Sequence, residues 1–145
     1  MSVYGRADGI LSNVFCGIKC KKIKKNAFLF LTGGIGYGLI EIAYRGYTHP
    51  AMTVAGGISF ISFSYIAEHF REKSLAFKAA LGALSVTALE LLFGAVLNLL
   101  LKKDVWDYSR QPFNFLGQIC PLFTFFWWVL SLIFIPFAEL IGRKI

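Results

Sequence analysis

Apolar residues in this chain fall into four long blocks separated by short polar stretches. The blocks cover about residues 26–44, 51–67, 75–101 and 115–141. A helix needs about 20 mainly apolar residues to cross the hydrocarbon core of a bilayer, and each block approaches or exceeds that length. The pattern therefore predicts an all-α membrane protein with four transmembrane helices.

The polar stretches predict how these helices are arranged. Residues 45–50 and 68–74 are short, so the spans that they join run in opposite directions and lie side by side. The stretch from Asp104 to Gln118 is the longest of them and the most polar part of the C-terminal half, and it joins the third and fourth spans. We therefore expect two antiparallel hairpins, with residues 104–118 covering one end of the second.

Composition supports a membrane protein and limits its partners. The chain is 57% hydrophobic and only 16% charged, whereas soluble domains are about 45–50% apolar and about 25% charged. The net charge of +7 is concentrated, because six of the 15 Lys and Arg residues lie in residues 1–25. A basic cluster beside an apolar block is typical of a cytoplasmic flank. No aromatic and basic surface element accompanies the cluster, so we expect the lipid bilayer as partner and no nucleic acid.

The same charges predict the orientation in the cell membrane. With the N-terminus inside, the inner segments carry eleven Lys and Arg residues and the outer segments four. This asymmetry predicts a multi-pass protein with both termini in the cytoplasm. Residues 26–145 form the predicted transmembrane domain. Residues 1–25 are a basic cytoplasmic segment, either an amphipathic helix on the inner leaflet or a disordered tail.

Two carboxylates lie inside the apolar blocks. Glu90 is eleven residues from Leu101, or roughly 16 Å along a helix, which places it near the bilayer centre. A charge there costs at least about 2.5–3.5 kcal/mol, so such residues pair, stay protonated or line a cavity. Helical spacing puts Glu90 on a small and polar face that we expect to point inward: Ala83, Thr87, Glu90, Gly94 and Asn98.

Glu41 lies on the first span with Arg45 one turn away. The helical face that carries Glu41 also holds Gly34 and Gly38, a G-x-x-x-G pair that lets another helix approach closely. We therefore expect the Glu41 carboxylate to point towards a helix contact and not towards lipid. On the fourth span, Pro121 falls within the first predicted turns, where it would kink or stagger the helix.

If the hairpins pack together, these polar residues border one pocket that opens to the outer face. The predicted binding residues are Glu41, Glu90, Asn98, Trp106, Asp107, Tyr108, Asn114 and Gln118, with Arg45, His49 and Arg110 as further contributors. The alternative is structural: a protonated Glu90 joins helices, while Trp106 and Tyr108 anchor the interface. We predict no catalytic residue, metal or cofactor, since the chain has no zinc spacing, nucleophile elbow or P-loop.

Several short motifs resemble one known family. They are Gly36-Tyr-Gly-Leu-Ile-Glu41, Arg45-Gly-Tyr-Thr-His-Pro-Ala-Met52, Gly56-Gly57, Glu90-Leu-Leu-Phe-Gly94, Trp106-Asp-Tyr-Ser109, Pro112-Phe-Asn114 and Gly117-Gln118. Together they are similar to the small bacterial membrane proteins known as the Putative ABC-transporter type IV (CmpB-like) family, over about residues 27–135. The resemblance leaves the first 25 residues out. It implies a permease-like membrane protein with no established catalytic residues, and importance for the motif residues of the predicted pocket.

Three functions fit these observations. The first is a permease-like transport component that works with further copies of itself or with a separate ATP-binding subunit. The second is a small membrane enzyme that acts on a lipid or cell-envelope precursor, with carboxylates in acid-base roles. The third is an assembly or structural factor of the membrane. We expect a non-enzymatic role and take transport as the leading hypothesis.

Overall fold

The computed structural model describes the backbone of residues 4–145 and the side-chain surroundings from residue 9 onward. Within this range the chain forms four α-helices: α1 (Tyr4–Arg45), α2 (Pro50–His69), α3 (Leu75–Gly94) and α4 (Pro121–Lys144). A π-helical segment, Ala95–Leu100, continues α3. All four helices have the length and apolar composition to cross a membrane, which confirms the prediction of an all-α, multi-pass membrane protein.

The first helix is much longer than the predicted first span. Its 42 residues correspond to about 63 Å, roughly twice the thickness of the hydrocarbon core. From Tyr4 onward the basic N-terminal segment is helical and continuous with the first span. Residues 1–3 of that predicted segment lie outside the described residues.

Helices α1 and α2 approach each other through glycines. A Cβ atom on Gly33 would lie 2.5 Å from the Gly56 carbonyl oxygen, and one on Gly56 would lie 2.8 Å from the Gly33 carbonyl oxygen. The predicted pair, Gly34 and Gly38, approaches α2 less closely than Gly33 does. Gly34 lies close to the Thr53 backbone, but a Cβ on Gly38 would be 3.8 Å from Thr53 Oγ1, an ordinary contact. The closest approach is therefore one residue earlier than the motif suggested.

Helix α2 is the central element, because it packs against α1, α3 and α4. Its buried side includes small residues such as Gly57, Ser59 and Ser64, which suits a membrane interior where close packing drives helix association. The main apolar cluster contains Leu29, Phe60, Phe63, Ile66, Ala67, Val86, Ile135 and Ala138. The small and polar face predicted around Glu90 is buried against this bundle, with Ala83, Gly94 and Asn98, so that prediction is confirmed.

The fourth helix begins at Pro121, later than the sequence pattern indicated. Residues 101–120, named here the connecting loop, are almost free of regular structure. Pro121 occupies a first-turn position of α4, where its missing N–H group has no helical partner to lose. The proline therefore starts the helix and does not kink it.

Candidate functional site

The connecting loop lies beside the last turns of α3 and does not simply extend beyond them. Tyr108 Oη donates a hydrogen bond to Glu90 Oε1 at 3.3 Å, and Asn98 Nδ2 donates one to Gln118 Oε1 at 2.7 Å. Glu90 and Leu100 are about 15 Å apart along the helix axis. The middle of the loop and its C-terminal end are thus held alongside the helix that carries Glu90.

Asn98 is the main attachment point of the loop. Its Nδ2 group donates hydrogen bonds to Gln118 Oε1 and to the Trp106 carbonyl oxygen, the latter at 3.0 Å. Its Oδ1 atom accepts a 2.7 Å hydrogen bond from Val105 N. Trp106 Nε1 then donates to the Gln118 carbonyl oxygen. Because each of these amide groups already has a partner, Asn98 and Gln118 fix the loop in place.

A second set of polar contacts shapes the middle of the loop. Asp107 Oδ1 accepts a 2.8 Å hydrogen bond from Ser109 N, and this contact lowers the pKa of Asp107. Asn114 Nδ2 donates to the Gln111 carbonyl oxygen, while Asn114 Oδ1 accepts from Gly117 N. Gly117 has a φ angle of +69°, a conformation that favours glycine. These contacts keep the Asp107 carboxylate ionised and in a defined position.

The end of α1 is joined to the loop by a buried ion pair. Glu41 is buried, its Oε1 atom lies 2.8 Å from Arg45 Nη2, and its Oε2 atom accepts a 2.7 Å hydrogen bond from Thr48 Oγ1. Arg45 Nη1 in turn donates to the Val105 carbonyl oxygen at 2.6 Å. The prediction that Glu41 points away from lipid is confirmed, and its partner Arg45 fastens the loop to α1.

A cavity of about 560 Å³ lies between the end of α1, the connecting loop and the start of α4. Its polar and aromatic lining consists of Tyr37, Glu41, Tyr44, Arg45, Tyr47, Asp104, Trp106, Asp107, Tyr108, Gln111, Phe123, Phe126 and Trp127. We call it the polar cavity. The structure thus places five of the sequence-predicted residues around one space: Glu41, Arg45, Trp106, Asp107 and Tyr108.

Glu90 lies behind the polar cavity and not on its surface. It is only 5% exposed, and the phenol of Tyr108 reaches it from the cavity wall. The Tyr108 ring stacks on Phe123 with 4.4 Å between ring centroids. Burial raises the pKa of Tyr108, so the phenol stays protonated and can donate. Tyr108 therefore connects the buried carboxyl group of Glu90 with the cavity.

The remaining predicted residues lie elsewhere. Asn98, Asn114 and Gln118 belong to the hydrogen-bond networks of the loop and do not line the polar cavity. His49 caps α2, where its Nδ1 atom accepts a 3.1 Å hydrogen bond from the backbone of Ala51. Arg110 is exposed on the loop and outside the cavity lining. The binding role of the cavity residues themselves stays a prediction.

Sequence reasoning missed six aromatic residues of the cavity lining, together with Asp104 and Gln111: Tyr37, Tyr44, Tyr47, Phe123, Phe126 and Trp127. Tyr37 lies one turn before Glu41, and its ring stacks on Trp127 with 5.6 Å between ring centroids. The indole Nε1 of Trp127 is buried and has no hydrogen-bond partner among the described residues. The spacing of four residues places Tyr37 and Glu41 on the same helical face, which indicates that Tyr37 belongs to the site. The surrounding glycines, however, are more typical of helix packing. No sequence pattern assigned Trp127 to the site, because its position along the bundle depends on the residue at which α4 begins.

The loop network leads to a prediction about Asn98. Replacing Asn98 with Leu removes its hydrogen bonds to Val105, Trp106 and Gln118, each worth about 0.5–1.5 kcal/mol. Hydrogen exchange should then become faster at the amide of Val105 and through the first half of the loop. Asn13→Leu, on the exposed first part of α1, is the matched control and should leave the loop unchanged. Equal exchange in both variants would contradict the anchoring role of Asn98.

A bundle of apolar helices with buried carboxyl groups defines a polytopic integral membrane protein. The model of the family Putative ABC-transporter type IV matches residues 9–144, and the chain belongs to that family. The family and the four apolar helices together are consistent with a membrane protein related to transport. The match extends the sequence resemblance, because it includes the N-terminal part of α1 from residue 9. No curated protein and no solved structure matches the chain.

Proposed function

We propose that the chain is a permease-like component of a transport system and that the polar cavity is its cargo-binding site, open to the outer face of the membrane. The observation that carries this proposal is the partly buried Glu41–Arg45 ion pair on the wall of a 560 Å³ cavity. Charged residues within membrane proteins are costly and usually serve a pathway or a binding site. Glu90, linked to the same cavity through Tyr108, adds a second buried acidic group.

The proposed orientation is two antiparallel hairpins with both termini in the cytoplasm. The asymmetry of eleven against four basic residues supports it. Lys25, midway along α1, also forms an ion pair with Glu68 near the last residue of α2, far from Arg45 and Pro50. The basic first part of α1 then projects into the cytoplasm, while the polar cavity lies on the opposite side.

Labelling of cysteines tests this orientation. Cys16 and Cys20 are exposed on the first part of α1, and Phe113 is 91% exposed on the connecting loop. In intact cells, a membrane-impermeant maleimide should label Phe113→Cys, placed in a background in which the three cysteines are serine. Cys16 and Cys20 of the native chain should react only after permeabilisation. Labelling of Cys16 and Cys20 in intact cells would reverse the proposed orientation.

The proposed transport system includes an ATP-binding subunit. Four helices are few for a complete pathway across the membrane, and the sequence contains no P-loop motif. The family match supports association with such a subunit, and a second copy of the chain is a further candidate partner. The cytoplasmic part of α1 is available for the interaction, since its residues 9–24 are exposed.

Reconstitution with the co-purified ATP-binding subunit tests the role of the site. Compounds that enter the polar cavity should stimulate ATP hydrolysis, and Glu90→Gln should reduce this stimulation by about tenfold, since it removes a buried ionisable group. Glu139→Gln is the matched control, because Glu139 lies at the other end of the bundle. Full stimulation of the folded Glu90→Gln variant would instead favour a structural role for Glu90.

The same variants address the other two functions. A general base needs a carboxylate oxygen that can reach the substrate, whereas both oxygens of Glu41 are already engaged by Arg45 and Thr48. The geometry therefore gives acid-base catalysis less support than binding. An assembly factor would depend on the fold alone, so Glu90→Gln and Asp107→Asn would leave its phenotype intact at equal protein levels.

A further inference from the structure

The polar cavity adjoins a second, apolar space. This space, the apolar crevice, has a volume of about 140 Å³ and lies among α1, α2 and α4. The two spaces share four lining residues: Tyr37, Ile40, Trp127 and Leu130. The stacked rings of Tyr37 and Trp127 thus form the boundary between a polar compartment and an apolar one.

The apolar crevice reaches the lipid-facing surface of the bundle. Two of its lining residues, Ile40 and Phe137, are 38% and 47% exposed. Helices α1 and α4, which border the crevice, contact each other less than any other packed pair of helices. An apolar cavity of roughly 150 Å³ is large enough to bind a benzene-sized group, so the crevice can hold part of a hydrocarbon chain that enters from the bilayer.

The polar cavity has the chemistry of a site for cations. Eight of its 17 lining residues are aromatic, and its charged groups are three carboxylates and one guanidinium. The carboxylates are those of Glu41, Asp104 and Asp107, and the guanidinium of Arg45 already pairs with Glu41. Aromatic faces combined with excess negative charge favour quaternary ammonium groups through cation–π and Coulomb attraction.

We propose that the cargo of this site is an amphiphilic cation. Its ammonium head binds in the polar cavity, and its alkyl chain passes alongside the stacked rings of Tyr37 and Trp127 into the apolar crevice. This inference rests on the proposed function, since it names the class of molecule that the transport site takes.

Binding of matched probes to the full chain in lipid nanodiscs tests the inference, with binding to empty nanodiscs subtracted. The probes are choline, which has only the head, lauroylcholine, which adds an ester and a chain, and dodecyl sulfate, which has a chain with the opposite charge. Lauroylcholine should bind about tenfold more tightly than choline, because several methylene groups become buried. Dodecyl sulfate should bind more weakly than lauroylcholine.

Two variants separate the contributions of chain and head. A Cβ atom on Gly36 would meet nothing within 4 Å, so Gly36→Leu fills the apolar crevice without a backbone clash. It should weaken the binding of lauroylcholine by about tenfold and leave the binding of choline unchanged. The double variant Asp104→Asn with Asp107→Asn should weaken the binding of both cations, since it removes two negative charges with little change in shape.

The controls are chemically similar substitutions at positions away from the site. Gly17→Leu places a leucine where a Cβ atom also meets nothing within 4 Å, and Glu72→Gln removes an exposed charge from the connection between α2 and α3. Neither should change binding. Equal affinities for choline and lauroylcholine would contradict an amphiphilic cargo and would be consistent with a site for small cations. Absence of binding by either cation would overturn the inference itself, and the ATPase stimulation assay would still test the proposed function separately.

Discussion

Gly56→Val is expected to separate α1 from α2 and to unfold much of the bundle. A Cβ atom on Gly56 would lie 2.4 Å from Tyr37 Cβ and 2.8 Å from the Gly33 carbonyl oxygen, and neither group can move unless a helix shifts. Overpacking of this kind costs about 1–3 kcal/mol and occasionally more. Because one clash involves backbone, we expect a loss of about 3 kcal/mol in the free energy of unfolding.

Gly36→Val is the matched control for this prediction. It introduces the same β-branched residue into α1, but a Cβ atom on Gly36 would meet nothing within 4 Å. Thermal unfolding in detergent, followed by the fraction of protein that remains monodisperse, compares the two variants. Equal stabilities of Gly56→Val and Gly36→Val would contradict the close approach of α1 and α2 at Gly56.

Arg45→Gln is expected to have the second large effect, on both stability and the connecting loop. The substitution leaves the Glu41 carboxylate buried without its cationic partner and removes the hydrogen bond to the Val105 carbonyl oxygen. Breaking a buried ion pair from one side costs about 3–5 kcal/mol. Since the Arg45 side chain keeps 18% of its exposure, solvent screening reduces this cost, and we expect a loss of about 2–3 kcal/mol.

The double variant Glu41→Gln with Arg45→Gln distinguishes the ion pair from other roles of Arg45. Removing both charges takes away the unpaired carboxylate, so the double variant should regain stability relative to Arg45→Gln alone. Arg110→Gln is the control, because Arg110 is exposed on the same loop and should lose nothing measurable. Urea unfolding and limited proteolysis of the loop measure both effects. Equal stabilities of Arg45→Gln and Arg110→Gln would contradict the buried pair.

Much of the helical framework could be predicted from the sequence, because the bilayer sets a minimum length for an apolar helix. Helical spacing also predicted the buried face that carries Glu90 and Asn98. At the contact between α1 and α2, spacing identified Gly34, which lies close to the Thr53 backbone, but missed Gly33, where the helices approach most closely. Four glycines in six residues leave several faces open, and only the position of the partner helix selects one of them.

The connecting loop was harder to predict, because its polar residues have two possible uses. Asn98, Asn114 and Gln118 looked like binding residues since they are polar and close to an apolar block. In the structure their amide groups are occupied by the loop itself. Asn and Gln often pair with nearby backbone groups, and those partners depend on a loop path that no local pattern specifies.

The aromatic wall of the site shows a similar limit. Tyr37 and Trp127 are 90 positions apart in the chain, and their stacking depends on the relative placement of α1 and α4. The depth of Trp127 in the bundle depends on the first residue of α4, which is Pro121 and not residue 115 as the apolar pattern predicted. Glu41, Arg45 and residues 106–108 were therefore accessible from sequence, while Tyr37, Trp127 and the apolar crevice needed the tertiary structure.

Transport measured with a chemically matched change at Glu90 is the most direct test of the central claim. The chain and its ATP-binding subunit are reconstituted in proteoliposomes, and ATP-dependent movement of lauroylcholine and of further candidate cargo is followed for wild type, Glu90→Gln and Glu139→Gln. At equal amounts of folded protein, Glu90→Gln should reduce the transport rate by about tenfold, equivalent to about 1.4 kcal/mol, while Glu139→Gln stays at the wild-type rate. A wild-type rate for Glu90→Gln would contradict the functional link between Glu90 and the polar cavity that the proposed function requires.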